Sequence, residues 1–382
     1  MSAPETAMAE QIHSLPKLIR ECMPAFEQVV REALDPELCG PLERLYVTGC
    51  GDSYHAALAS ELAFHELGHV PSQSLSALAF SRYTVPFLAR AERSAVIGIS
   101  VSGEVSRTVE ALQLARQAGA TTIALTGSPK SRLAQAADCV LLASVAPLRQ
   151  VPTPGVRSYI ASLLMLYLAA VRMGELRDAL NAAASGAARR ELLGVAQAVR
   201  ATMESGEPAL QSLAERWADA SEYVFAGGGP NYGTALFSAA KLLEASGEAA
   251  VGQDVEEWAH LQYFGRAEKA PTFVIDPGGR SSSRARELAV AARAVGRRVA
   301  AIVPYGEVEI AAQADAVLAV MGTVREAFSP LLYGLAGMLF ADYRSRALGE
   351  SYFRGFGGGR SAEGGGGISR IRTSLMQKEL QK

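Results

Sequence analysis

Between residues 44 and 304, short apolar runs that end in small or glycine-rich turns alternate with stretches of helical periodicity, and the series occurs twice. The first pass reads as strand "RLYVTGC", a helix over residues 53–67, strand "SAVIGIS", a helix over 104–118 and strand "TTIALTG". The second reads as strand and Gly-rich turn "YVFAGGGPNYG", a helix over 234–245, strand "APTFVID", a helix over 283–294 and strand "RVAAIVP". Short β-branched runs separated by helical pattern predict an α/β fold with parallel strands covered by helices on both faces. Such a sheet also fixes where chemistry sits, because its ligands lie at the carboxyl ends of the strands.

Sliding the chain on itself by 178 positions matches Gly49 with Gly227, Gly51 with Gly229, Tyr54 with Tyr232, Ser60 with Ser238 and Glu66 with Glu244. The shared order of elements makes a duplicated domain the better explanation than chance likeness of two Gly-opened helices. The expected organisation is an N-terminal helical segment at 1–40, domains at 41–190 and 205–348, and a Gly-rich tail at 349–382. Helical pattern is expected over 8–34, and again over 157–218 with a break near Gly186. The tail "RGFGGGRSAEGGGGISRIRTS" is either a disordered end or a closing segment that offers Arg370, Arg372, Lys378 and Lys382 to an anion.

A length of 382 residues suits two cores. The net charge of -2 lacks the basic excess of a general nucleic-acid binder, so small molecules and protein partners are expected, and no nucleic acid. Cys22, Cys39, Cys50 and Cys139 lack CxxC spacing, which suggests neither a disulfide framework nor a zinc ribbon and fits a reducing cytoplasm. The N-terminus "MSAPETAMAEQIHS" carries acids without an apolar core, and no later run reads as long and charge-free enough to span a bilayer, so a soluble protein with no membrane partner is expected.

"HELGH", His65 to His69, matches the zinc-binding HExxH pattern. No acid or histidine follows before Glu92, and Gly68, Val70 and Pro71 end the helix, so an ordinary helix end is favoured and no metal is expected. The turns "GCGDSY" and "GGGPNYG" invite a dinucleotide reading, but "VPSQSLSALAFSRYTV" offers no acid for a ribose. No nicotinamide or flavin cofactor is therefore expected. In "SVSGEVSRT", Ser100, Ser102 and Ser106 supply hydroxyls, Gly103 allows close backbone approach, and the next helix presents unpaired N–H groups, which together suit a phosphate. The same residues also read as a plain N-cap with Ser102 as the cap. Lys130 in "TGSPKS" adds a cation at the same sheet edge and tips the balance toward phosphate. In "KLLEASGEAAVGQDVEEWAH", Lys241, Glu244 and His260 stand among further carboxylates. They suit general acid–base work. On the residues alone a solvated helix end is the preferred reading.

Taken together these residues resemble the tandem sugar isomerase (SIS) domain family, and most closely the isomerase half of glucosamine-6-phosphate synthase with its free-standing deaminase and deglycase relatives. The signals are "GCGDSY" for a GCGTS-type loop, "SVSGE" for SQSGE, "GVRS" for a GVAS-type segment, and "EWAH" for E-x-x-H. The resemblance runs from Met8 to about Leu348. It implies two tandem three-layer α/β/α domains, each a parallel sheet flanked by helices. It also implies a sugar-phosphate ligand held by Cys50, Gly51, Asp52, Ser53, Ser100, Val101, Ser102, Gly103, Ser106 and Ser158. By the same resemblance Glu244 moves a proton between C1 and C2, His260, often donated by a neighbouring subunit, assists ring opening, and Lys241 orients Glu244. A homodimer with shared active sites follows.

The chain departs from the family at three places. Val105 stands where a threonine is usual, leaving Ser106 or Arg107 to substitute; Leu261 and Gln262 replace Gly-Pro after the histidine; and the lysine-bearing C-terminal segment gives way to the Gly-rich tail. No glutamine-hydrolysing domain precedes the pair, so free ammonia, another amine donor or deamination is expected. The implied function is isomerisation of an amino-sugar or ketosamine 6-phosphate coupled to amine loss or gain. The alternatives are a simple aldose-ketose phosphate isomerase and a non-catalytic sugar-phosphate-binding regulator.

Overall fold

The computed structural model describes residues 5–266 and 269–355. Of the Gly-rich tail expected at 349–382, residues 356–382, including Arg370, Arg372, Lys378 and Lys382, lie outside the described residues. The chain opens on α1 (Ala7–His13) and α2 (Leu15–Ala33). The single helix expected here is interrupted at Ser14, whose hydroxyl bonds Gln11 O at 2.7 Å. Pro16 lacks the N–H that would have continued the ladder across that point.

The described chain divides into two compact units, each discontinuous in sequence. One comprises Ile19–Ala146 and Ser158–Leu193. After α3 (Pro36–Cys39) its elements are β1 (Arg44–Gly49), α4 (Asp52–Glu66), β2 (Ser72–Ser76), α5 (Ala77–Ala79), β3 (Ser94–Ile99), α6 (Ser106–Gln117), β4 (Thr121–Thr126), α7 (Arg132–Gln135), β5 (Cys139–Leu142), and α8 from Arg157 to Leu176. The five strands are all parallel, in the order β2-β1-β3-β4-β5. Val96, Leu112, Ala115, Ala124 and Leu133 fill the core on the α6 side. The helix can lie so close because Gly98 has no side chain: a β-carbon there would be 2.9 Å from Leu112. Tyr46 and Phe80 seal that layer with ring centroids 5.2 Å apart.

Helix α8 corrects one expectation. It is long and apolar enough to cross a membrane by length and composition, yet 83% of its 18-residue window is buried inside the protein. It packs on α4, where Tyr167 Oη donates to Ala59 O at 3.2 Å and a β-carbon on Gly174 would collide with Leu67 O at 2.0 Å. Each buried leucine on it contributes about 2 kcal/mol by leaving water. The expected break at Gly186 is also displaced. The chain leaves the helical conformation after Leu176, Asp178 takes a left-handed φ of 56°, and Asn181 Oδ1 accepts from Ala184 N at 2.9 Å to start α9 (Ala182–Arg216). Gly186 sits inside α9; one glycine costs a helix only about 1 kcal/mol relative to alanine, and the Asn181 cap decides the boundary instead.

Of the described residues, the other unit comprises 5–18, Pro147–Arg157 and those from Gly194 to Gly355. Its elements are β6 (Tyr223–Gly227), α10 (Pro230–Ser246), β7 (Ala250–Asp254), α11 (Val255–His260), β8 (Thr272–Ile275), α12 (Ser282–Ala294), β9 (Val299–Pro304), β10 (Ala316–Val320) and α13 (Pro330–Leu348). The sheet is again all parallel, and its order β7-β6-β8-β9-β10 repeats the permutation of the first. Val224, Val274, Trp258, Leu288 and Val299 form one core layer; on the other side Phe225 stacks on Phe273 at 4.5 Å. The protein is thus an α/β fold with two parallel sheets flanked by helices.

Candidate active site

In the first unit, Gly49 ends β1 and pairs in register with Ile99 at the end of β3, so the turns leaving these strands start side by side. The β1 turn closes only without a side chain at Gly49, where a β-carbon would lie 2.6 Å from Ser53 Cβ. Gly51 then takes φ 57°, ψ -129°, a conformation that glycine adopts without steric cost, and caps α4 with no side-chain hydrogen bond. Asp52 and Ser53 fall in the first turn of α4, with Asp52 Oδ1 3.7 Å from His55 Nδ1. Cys50 is exposed, and Thr108 Oγ1 lies 3.9 Å from its sulfur. Gly229 repeats the Gly51 geometry in the second unit, with φ 54° and ψ -127° ahead of α10.

The serine loop after β3 is held from three sides. Ser100 is buried, and its N–H donates to Leu125 O at 3.0 Å. Gly127 N donates to Val101 O at 3.0 Å. Gly103 takes φ 69°, and a β-carbon on it would lie 2.0 Å from Ser131 Oγ. Helix α6 begins at Ser106 behind Val105, which caps it with no side-chain hydrogen bond. Ser102 is therefore not the N-cap. The first N–H groups of α6 keep no capping side chain, and they carry the positive end of the helix dipole.

The hydroxyls of this loop share a pattern. Ser100 Oγ accepts from Gly103 N at 3.1 Å, Ser102 Oγ from Glu104 N at 3.2 Å, and Ser106 Oγ from Arg132 Nη2 at 3.1 Å. A hydroxyl has one proton and two lone pairs, so each of these has a lone pair engaged and a proton to give. An array of that kind suits an anion rich in acceptors. Of the residues expected to make up for Val105, Ser106 is met by Arg132, and Arg107 pairs with Glu110.

Lys130 is exposed, with its carbonyl accepting from Gln135 Nε2 at 3.1 Å, whereas its neighbour Arg132 reaches the loop. Arg132 Nε donates to Glu104 Oε2 at 2.9 Å and its Nη2 to Glu104 O at 2.7 Å. Sequence reasoning missed Arg132, together with Ser131 and Thr126, whose hydroxyl donates to Val101 O at 3.4 Å. The signal was the polar "TGSPKSR" at the carboxyl end of β4, next to β3. Ser158 lies in the first turn of α8, where its carbonyl accepts from Ser162 Oγ at 2.9 Å.

The matching turn of the second unit is built differently. Ile275 pairs with Gly227 as Ile99 pairs with Gly49, so the buried Asp276 takes the place of Ser100. Asp276 Oδ1 accepts from Gly278 N at 3.2 Å and Ser282 Oγ at 2.7 Å, and burial pushes its carboxyl up from the usual range. Glu326 fills the space beside Gly279, 2.3 Å from where a β-carbon would stand, and pairs with Arg280 at 2.6 Å. A carboxyl group, that of Asp276, thus stands where the first turn has the Ser100 hydroxyl.

The second unit also carries Lys241, Glu244 and His260. Lys241 is fully buried on α10, bonds Glu244 one turn on, and lies 5.1 Å from the centroid of the Phe237 ring. Glu244 keeps 30% of its side chain exposed. Helix α11 starts at Asp254, whose Oδ1 accepts from Glu256 N at 2.8 Å, and ends at His260. The His260 side chain is 63% exposed and its Nε2 lies 3.1 Å from Glu256 Oε1. Helix α4 ends at Glu66 and His69 has φ 48°, so the two histidines of "HELGH" do not share a helix face. Among the described residues, no group of three or more His, Cys, Asp or Glu side chains is arranged to hold a metal ion.

Residues 42–172 match the model of the SIS domain. The chain is 29% identical over 339 residues to the glutamine–fructose-6-phosphate aminotransferase (isomerizing) of Gloeobacter violaceus, covering 85% of this chain and 53% of that protein. For the enzyme of the same name from Methanothermobacter thermautotrophicus the identity is 27%, covering 85% and 52%. The chain thus spans about half the length of the curated relatives it matches. Among solved structures, the C-terminal domain of glucosamine-fructose-6-phosphate aminotransferase from Francisella tularensis superposes with a TM-score of 0.78 at 16% identity, covering 91% of this chain and 97% of that one. Tagatose-6-phosphate ketose/aldose isomerase from Escherichia coli gives 0.74 at 18%, covering 93% and 97%. Glucosamine-6-phosphate deaminase from Thermotoga maritima gives 0.67 at 17%, covering 91% and 96%. At these identities the structural likenesses speak for the fold. With the domain match over residues 42–172 and the sequence relatives beside them, the chain is similar to the SIS-domain family.

Proposed function

We propose that the protein binds a sugar 6-phosphate through the serine loop and catalyses aldose-ketose proton transfer coupled to loss or gain of an amine. The observation that carries this reading is the donor array of Ser100, Ser102 and Ser106 at the uncapped start of α6, beside the Gly51 turn. A phosphoryl group offers many acceptors and no donor at neutral pH, so it takes these protons and the helix N–H groups together. Ser53 and Ser158 are assigned to the sugar hydroxyls. The equal strand order of the two sheets and the like geometry of Gly51 and Gly229 support a reading as two tandem SIS-type domains.

Glu244 is assigned as the base that takes the proton from C2 and returns it at C1, through an enediol or enolamine. Such a transfer needs one positioned carboxylate and an acid or base for the ring oxygen, the role given to His260. Lys241 fixes the orientation of Glu244. A buried lysine beside a carboxylate carries a large desolvation cost. That a pure binding module has no use for the pair favours an enzyme. Leu261 and Phe264, 57% and 75% exposed beside His260, favour a second subunit against this surface and hence a homodimer with shared sites.

The reading is tested by incubating the protein with fructose 6-phosphate and ammonium, and separately with glucosamine 6-phosphate, and following sugar and amine. The expected result is interconversion that Glu244→Gln reduces at least about 10³-fold, with sugar-phosphate affinity retained. Binding without turnover in the wild type would instead mark a regulator.

A further inference from the structure

We infer that Arg132 is a positioning residue that turns Ser106 into a dedicated donor to the bound anion, supplying indirectly the hydroxyl that Val105 lacks. This rests on the reading that the serine loop holds a phosphate. Ser131, Arg132 and Leu133 together form the template on which that loop is shaped. Ser131 fills the space beside Gly103, and Leu133 N donates to Gly103 O at 3.0 Å. Arg132 N donates to Glu104 Oε1 at 3.1 Å, its Nε to Oε2 at 2.9 Å, and its Nη2 to both Glu104 O at 2.7 Å and Ser106 Oγ at 3.1 Å.

Two consequences follow from that geometry. The Glu104 carboxylate is held by Arg132 Nε and by the Arg132 backbone N–H, and its charge is balanced where an anion would otherwise meet it. The Ser106 oxygen, in a residue only 5% exposed, accepts from a cation and directs its proton elsewhere. A hydroxyl polarised in this way is a stronger donor, and its near-complete desolvation raises its worth to an anion. Arg132 therefore acts on the ligand through Ser106, and the two side chains form one unit.

The test is a double-substitution cycle read by calorimetry with fructose 6-phosphate, inorganic phosphate and, as neutral control, fructose. Arg132→Ala and Ser106→Ala are each expected to weaken fructose 6-phosphate and phosphate binding about 10-fold, and the double variant by little more than either alone. Binding of fructose should be unchanged, and Arg132→Lys should restore only part of the loss, because an ammonium cannot span Glu104 and Ser106 as the fork does. Urea unfolding midpoints within the wild-type range certify that the variants fold.

Losses that multiply to about 100-fold in the double variant would overturn the inference, since the two residues would then act separately. So would an Arg132→Ala protein that binds fructose 6-phosphate normally, or one that loses fructose and fructose 6-phosphate alike. A wild type that binds neither phosphate nor fructose 6-phosphate would remove the functional reading itself, and the inference with it.

Discussion

Gly103 shows how tightly single residues constrain the site. Its φ of 69° lies in the left-handed region, and a β-carbon would stand 2.0 Å from Ser131 Oγ and 2.9 Å from Thr126 Oγ1. Gly103→Ala should destabilise the protein by about 3 kcal/mol in urea unfolding, from backbone strain and overpacking together. It should also weaken fructose 6-phosphate binding, because the loop cannot keep its path. Wild-type stability and affinity would mean that the loop relaxes freely, against the hydrogen bonds that tie it down. At this scale the serine loop and the glycines of the β1 turn were legible in the sequence as turns from a strand into a helix, while those residues alone leave open the choice between a plain N-cap with Ser102 as cap and an anion loop. Arg132 was not legible. Its role depends on where β4 lies beside β3, and "KSR" read on its own gives no reason to prefer one basic residue over the other.

Helix α1 carries a charge-dependent clasp. Within the second unit, His13 Nδ1 lies 2.5 Å from Glu5 Oε1 and Nε2 lies 2.9 Å from Glu207 Oε1, while Tyr343 bonds the same Glu207. The hydrogen bond to Glu207, opposed by burial and joined by Glu5, raises the imidazole from 6.5 to about 9. The folded value lies above the unfolded one, so the stabilisation is fully present below about pH 6.5 and is lost as pH rises through about 9. The stability gap between wild type and His13→Gln, from urea unfolding, should be wide near pH 6 and close near about pH 9.5. An equal gap at both would contradict the clasp. The elements that the sequence misplaced have local causes of the same kind. The end of α8 and the start of α9 follow Asp178 and the Asn181 cap rather than Gly186, and the edge strands β2, "SQSLS", and β7, "AVGQD", lack the apolar runs of the central strands. Helix α8 matched a membrane span in composition for the reason that makes it a core helix: nearly every side is buried.

At the scale of the whole molecule, the two sheets share one strand order, while the turn that carries Ser100 in the first carries Asp276, bonded by Ser282, in the second. The repeat was visible in the 178-residue shift, but this difference was not, because Asp276 and Ser100 become equivalent only once the strand registers are known. The proposal of shared sites predicts a dimer by light scattering whose activity falls on dilution; a fully active monomer would remove it. The central claim is that Glu244 moves a proton on a sugar phosphate. Proton NMR in deuterated water with fructose 6-phosphate tests it most directly, comparing wild type with Glu244→Gln. Deuterium should enter at C1 in the wild type and not in the variant. Exchange undiminished in Glu244→Gln, or ligand-induced stabilisation with no exchange in the wild type, would contradict it.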